Sequence, residues 1–241
     1  MRFKLIACGI LKRELDQLVK RAGQQIDVTC LPQGMHNDPG ELRGALQREI
    51  DRADSDPLGY DAILIGYGLC SNGPVGIRSG RYPLVIPRAH DCITLFLGSG
   101  HRYRELFDQE SGGIYWFTAA WIDQCPMPSR RSEEQRRNEI RQIYGSENID
   151  FLLEAERSWV KDYKCFAFIE FPGFREDPYR EFTRKSADYF GLEFKNFRGD
   201  DSLLKDFLSG NWDHVRFQIV EPNQTLGPSY DDSIFTIEKR C

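Results

Sequence analysis

Four side chains in this sequence pair soft-ligand or nucleophilic chemistry with a place at the end of a strand-forming run: Cys8, Cys70, His90 and Cys92. Cys8 closes the run Arg2 to Cys8. Cys70 lies in the glycine-rich loop that follows Asp61 to Gly66, and His90 and Cys92 follow Pro83 to Pro87. Thiolate sulfur and imidazole nitrogen are ligands that zinc prefers, and a catalytic zinc keeps one of its four places for water or substrate. His36, in the loop after a further predicted strand, is another donor of the right type. The expected cofactor is therefore zinc or another transition metal, held by residues drawn from Cys8, His36, Cys70, His90 and Cys92. The plain alternative for Cys8 is packing at a strand end, and for His36 a place in a turn.

Cys92 carries a second argument. Asp91 is placed to cap a helix beginning at Cys92, and a thiol in a first helical turn feels the positive end of the dipole, which favours thiolate. Cys70 and Cys92 are accordingly the expected catalytic residues, with His90 as ligand or base. The loop Gly66-Tyr67-Gly68-Leu69-Cys70-Ser71-Asn72-Gly73 exposes backbone N–H groups and polar side chains suited to an anion. It has no Walker lysine and does not match GxGxxG. Tyr67, Ser71, Asn72, Gly73 and the nearby Arg88 are the expected substrate contacts. Carboxylates at later strand ends, Glu170 and Glu221, are further acid/base candidates.

The elements that must position these residues alternate. A strand at Arg2 to Cys8, a helix at Leu11 to Arg21, a strand at Ile26 to Leu31, a helix opened by Asp38-Pro39 and a strand at Asp61 to Gly66 make β-α-β-α-β. That order predicts a mainly parallel sheet flanked by helices, which lines up strand ends along one edge. A similar order returns late: a strand at Lys164 to Phe171, a helix at Pro178 to Phe190, a strand at Leu192 to Phe197, a helix at Ser202 to Leu208 and a strand at His214 to Val220. Two similar βαβαβ lobes facing each other across the site are one arrangement this allows. The corresponding division is an α/β lobe over 1–100, a helical connection over 101–163 and an α/β lobe over 164–241; one compact domain is the other. Within the connection, Gly113 to Trp121 reads as extended. Ser132 to Tyr144 reads as an exposed helix with a Ser132 and Gln135 capping box, and Ser146 to Asp162 as a second helix.

The composition is that of a soluble globular chain. It has 241 residues, a formal charge of −5, 40% hydrophobic and 29% charged residues, with no basic excess to suggest a nucleic-acid partner. The clustered Arg130, Arg131, Arg136, Arg137 and Arg141 are interrupted by glutamates, as on a solvated, ion-paired helix face. No apolar run reaches the roughly 20 residues a membrane span needs. Seven cysteines at irregular spacing do not form a disulfide framework, so a cytoplasmic location is expected. Cys30, Cys125, Cys165 and Cys241 have no such placement and read as structural or incidental.

Three segments, LPQGMHNDPGEL, GYGLCSNGPVGI and LVIPRAHDCITLFLGS, resemble a prokaryotic family known only as a domain of unknown function. Its members are often encoded near corrinoid-dependent methyltransferases. The resemblance spans roughly Lys4 to Val220 and transfers no activity. It implies a link to methyl or one-carbon metabolism, with a corrinoid protein or methyltransferase as partner. Metal-dependent transfer on a small-molecule substrate is therefore the favoured function. His90-x-Cys92 with a distant cysteine is similar in ligand type to zinc sites of corrinoid:thiol methyltransferases, although this chain is too short for their (β/α)₈ barrel. Two other readings stand beside it. YDAILIGYGLCSNG also looks like the strand and loop of aspartate/glutamate racemases, so a cofactor-independent racemase or lyase working through cysteines is the first. A non-enzymatic metal- or corrinoid-binding accessory protein is the second.

Overall fold

The computed structural model describes residues 1–111 and 113–238, so Cys241 lies outside the described residues. In chain order the strands are β1 (Arg2–Cys8), β2 (Gln25–Leu31), β3 (Ala62–Gly66), β4 (Leu84–Pro87), β5 (Ile114–Phe117), β6 (Cys165–Glu170), β7 (Glu193–Arg198), β8 (Phe217–Val220), β9 (Leu226–Pro228) and β10 (Phe235–Ile237). The helices are α1 (Lys12–Val19), α2 (Pro39–Asp54), α3 (Cys92–Leu97), α4 (Gly100–Gln109), α5 (Ala119–Gln124), α6 (Arg130–Tyr144), α7 (Ile149–Glu156), α8 (Asp177–Phe190) and α9 (Ser202–Ser209). The expected mixed α/β fold with a mainly parallel sheet is what forms.

The chain divides into two compact units. The first joins Met1–Arg102 to the chain from Asp200 onward, and the second is Tyr103–Gly199. The first unit's sheet has the order β2-β1-β3-β4-β8. Its first four strands are parallel, and β8 runs antiparallel to β4. β3, of sequence AILIG, is buried along its whole length, as expected of a parallel strand covered on both faces. Its register sets Ala7 against Gly66 and Leu5 against Leu64. A methyl group at Gly66 would come 2.6 Å from the Ala7 Cβ, so only glycine allows β1 and β3 to end side by side. α2 starts where Asp38 accepts the Glu41 N–H and Pro39 sets the first turn.

This arrangement departs from the division at 100 and 163 expected from sequence. Only Phe217–Val220 of the predicted run His214 to Val220 is strand, and it pairs with β4 instead of joining the late βαβ. α9 packs on α1. Arg88, just past β4, explains much of the attachment. Its guanidinium donates to the carbonyls of His214 at 3.1 Å and Phe235 at 2.7 Å, to the Gln218 amide oxygen at 2.8 Å, and to the Ser233 carbonyl. The side chain expected to contact substrate is engaged in a clamp that holds the C-terminal segment to the sheet.

The second unit carries a three-stranded parallel sheet, β5-β6-β7, with α8 on β6 and β7. Phe117, Phe166 and Phe168 form its buried centre, with Tyr115, Trp159, Phe182 and Phe190 packed around them. The predicted extended run Gly113 to Trp121 breaks at Thr118, whose hydroxyl accepts the Trp121 N–H and starts α5. α6 begins at Arg130 because Ser129 and Ser132 form the capping box, one turn before the expected pair. The second predicted helix is α7 followed by a tighter 3-10 turn over Arg157–Asp162. The arginines of α6 meet carboxylates as expected: Arg130 meets Glu134, Arg136 meets Glu139 and Glu156, and Arg137 meets Asp150. Among the described residues no helix is long and apolar enough to cross a membrane.

The Arg88 clamp makes a direct prediction. Arg88→Met keeps the aliphatic stem but removes the donor of the His214 carbonyl and the Gln218 amide oxygen, and one of two donors at the Ser233 and Phe235 carbonyls. The substitution should lower stability by about 2–4 kcal/mol, measured as a drop in the urea midpoint. Unchanged stability would mean that the clamp holds nothing.

Candidate functional site

The first sheet changes direction of winding between β1 and β3: β2 lies on one side of β1, and β3 and β4 lie on the other. The crevice beyond the carboxyl ends of two such strands is where open α/β sheets bind ligands. Cys8 is the last residue of β1, and the loop carrying Cys70 leaves β3 at Gly66. Two of the four residues singled out from sequence therefore flank this crevice.

Cys92 is brought to them by a backbone zipper. The Leu69 N–H donates to the Ala89 carbonyl at 2.7 Å and the Cys70 N–H to the His90 carbonyl at 3.0 Å. The two loops lie so close that a Cβ on Gly68 would sit 2.8 Å from the Ala89 oxygen and the Asp91 nitrogen. On the other side of the loop Gly73 packs against Leu42 of α2. Between these anchors Cys70, Ser71 and Asn72 all take the left-handed conformation, with φ of 43°, 58° and 65°. Asparagine tolerates this region, whereas cysteine and serine pay about 1 kcal/mol or more each to occupy it. The turn presents Ser71 and Asn72 to solvent and keeps Cys70 half-buried.

The outcome is a cluster of reduced thiols. Cys8, Cys70 and Cys92 lie close enough for each to influence the ionisation of another, and Asp91 bears on both Cys70 and Cys92. Burial pushes the Cys70 thiol up to about 12, partly offset by the Gly68 N–H, with Cys8 and Asp91 adding to the rise. Cys92 is driven well above the ordinary thiol value, first by burial and then by Cys70 and Asp91. Burial thus opposes the activation by a helix dipole that was expected of Cys92. Asp91 does cap α3 by accepting the Thr94 N–H, but a helix of six residues cannot outweigh removal from water and a neighbouring carboxylate.

Tyr67 adjoins Cys8 and is almost wholly buried, yet its hydroxyl makes no hydrogen bond of ordinary geometry. Such a group costs roughly 1–3 kcal/mol where it stands. The remaining candidates are placed less centrally. His36 is half-buried in the turn Met35–Asn37, beside the turn Cys70–Asn72. His90 contributes its carbonyl to the zipper while its imidazole is exposed. Gly73 serves packing, and Arg88 is occupied as described. Among the described residues, no three His, Cys, Asp or Glu side chains stand arranged to hold a metal ion as they are set. Cys30 and Cys125 are half-buried; Cys165 is buried, 4.0 Å from the Gly113 carbonyl. Asp91 as an electrostatic neighbour of the thiols is the feature sequence reading undervalued. Its signal was the second glycine of the GxG, which demands a close backbone approach.

The raised thiols imply a pH dependence with a definite sign. Between the ordinary thiol value near 8.5 and about 12 for Cys70, the folded chain binds more protons than the unfolded one. Stability is therefore full below about pH 8.5 and falls as pH rises. Urea midpoints taken from pH 8 to 10 should decline, and Cys70→Ala should flatten the slope. An equal slope in wild type and variant would show that Cys70 is not held neutral by the fold.

No curated protein and no solved structure matches the chain. Residues 30–208, which run from the end of β2 to most of α9 and include His36, Cys70, His90 and Cys92 but not Cys8 or Glu221, match the family described as "Protein of unknown function (DUF1638)". The chain belongs to that family.

Proposed function

We propose that the thiols of Cys8, Cys70 and Cys92 are the working groups of this protein and that they take up a soft metal ion, zinc first among them, to act on a small molecule. The observation that carries this reading is the electrostatic character of the cluster. Cys8, Cys70 and Cys92 come from the ends of three separate strands, and the charges that bear on Cys70 are those of Cys8 and Asp91, while those that bear on Cys92 are those of Cys70, Asp91 and Cys8. Thiols so placed resist ionisation alone and favour it beside a cation, because a bound metal ion reverses the local cost of negative charge. The donor set fits a thiophilic ion in kind. Its arrangement requires the three side chains to turn towards a common centre on binding, since they do not stand so now.

A metal held by three sulfurs leaves a place for a substrate and supplies Lewis acidity there. The chain's own residues would do the rest. Tyr67, whose hydroxyl adjoins Cys8, would lie beside the sulfurs, and Ser71 and Asn72 would offer solvent-exposed polar groups. Methyl or one-carbon transfer to a small acceptor, with a corrinoid protein as partner, is the reaction class proposed. The racemase reading is less well supported. It needs a thiolate to abstract a proton, and burial beside Asp91 works against one.

Elemental analysis of anaerobically purified protein, followed by cobalt(II) titration of the metal-free form, tests the proposal. About one ion per chain is expected, with thiolate-to-cobalt charge-transfer absorption. Each of Cys8→Ser, Cys70→Ser and Cys92→Ser should weaken binding at least about tenfold, which is about 1.4 kcal/mol. Protein that neither carries metal nor binds cobalt would overturn the reading. If that metal-free protein exchanged the α-proton of an amino acid into deuterated water, the racemase would replace it.

A further inference from the structure

The second unit contains a cavity of about 450 Å³ that shares no residue with the thiol cluster. Its volume falls within the range of small-molecule sites. One wall is aromatic: Tyr115, Trp159 and Phe190, with ring centroids 5.4 Å apart for Tyr115 and Trp159 and 5.8 Å for Trp159 and Phe190. All three rings are half-buried, so they offer apolar surface to an occupant. The polar side carries Glu133, Arg136 and Arg157.

These charges are not equally engaged. Arg136 is bound by two carboxylates, Glu156 and Glu139. The Arg157 guanidinium lies over the Phe190 ring, 5.1 Å from its centroid. Glu133 is different. One of its oxygens accepts the Tyr189 hydroxyl at 3.1 Å. The other is buried and forms an ion pair with Arg157, 3.2 Å from its Nε, without the alignment of a hydrogen bond. The Glu133 side chain is 10% exposed, so water compensates this oxygen poorly.

We propose that this cavity is a binding site for a planar aromatic molecule with a cationic or N–H-donating end. The ring packs on Tyr115, Trp159 and Phe190, and the donor supplies the aligned hydrogen bond to Glu133 that Arg157, its ion-pair partner, does not make. Offset or edge-on contact with three rings suits a flat ligand, and a charge-assisted hydrogen bond to a mostly buried carboxylate sets its direction. The proposal is independent of the metal reading. It names a second ligand of different chemistry on a different sheet.

Benzamidine and benzoate are the matched probes: one flat ring with opposite charges, added to the full-length protein and followed by calorimetry and tryptophan fluorescence. Benzamidine should bind saturably, and benzoate at least tenfold more weakly. Glu133→Gln keeps the shape and removes the charge, and should weaken benzamidine at least tenfold with the thermal midpoint near wild type. Tyr189→Phe, which disturbs the neighbourhood but leaves the Glu133 charge, should stay within threefold of wild type. Trp159→Phe should abolish the fluorescence response while calorimetric binding persists. The site is refuted if benzamidine does not saturate, if benzoate binds as well, or if Tyr189→Phe costs as much as Glu133→Gln.

Discussion

The close approach of two backbones, Gly68 to Cys70 and Ala89 to Asp91, is the constraint on which the first unit's chemistry depends. A side chain at Gly68 would strike the opposing carbonyl and amide, and without that contact the two inter-loop hydrogen bonds could not form. Those bonds tie the end of β3 to the end of β4. They also force the left-handed run at Cys70–Asn72, because the chain must turn out of the zipper and still seat Gly73 on α2. Backbone strain, burial of Cys70 and proximity to Cys92 are three results of one contact. Packing came first here, and the position of the sulfurs follows from it.

Much of this organisation was legible in the residues. Asp38-Pro39 and Asp91 announced helix starts because a capping carboxylate and a proline act locally. The hydrophobic runs that became β1, β3 and β4 were short, rich in Leu and Ile, and bounded by glycine, proline or charged residues. Their parallel order then placed Cys8 and Cys70 at one edge. What could not be read was long-range and depended on single contacts. Nothing local says that Phe217–Val220 pairs antiparallel with β4, since the deciding partner is Arg88, more than a hundred residues earlier. The Cys92 thiol was misjudged for the same reason. A helix cap is visible in sequence, whereas burial beside Asp91 and two other thiols is a property of the assembled crevice.

The two units divide the work of stabilisation differently. The first buries Ile, Leu and Val along β1, β3 and β4, together with the rings of Phe3, Phe96, Phe207, Phe217 and Phe235. The second is held largely by aromatic contacts: Tyr115, Phe117, Trp159, Phe166 and Phe190 form a connected cluster with centroid separations of 4.9 to 6.3 Å. Large rings at a three-stranded sheet leave irregular gaps between flat surfaces, where aliphatic side chains would fill more evenly. An α/β unit this small is stabilised by rings and tends to be grooved by them.

The placement of β8 carries a consequence for how the molecule comes into being. Because Tyr103–Gly199 interrupts the first unit, a ribosome synthesises the entire second unit before it has made the strand that completes the first sheet. Until then β4 is an open edge, with its backbone amides awaiting a partner that is still more than a hundred codons away. The inserted unit can settle on its own local contacts during that interval. The first must wait, and its last strand docks only near the end of synthesis.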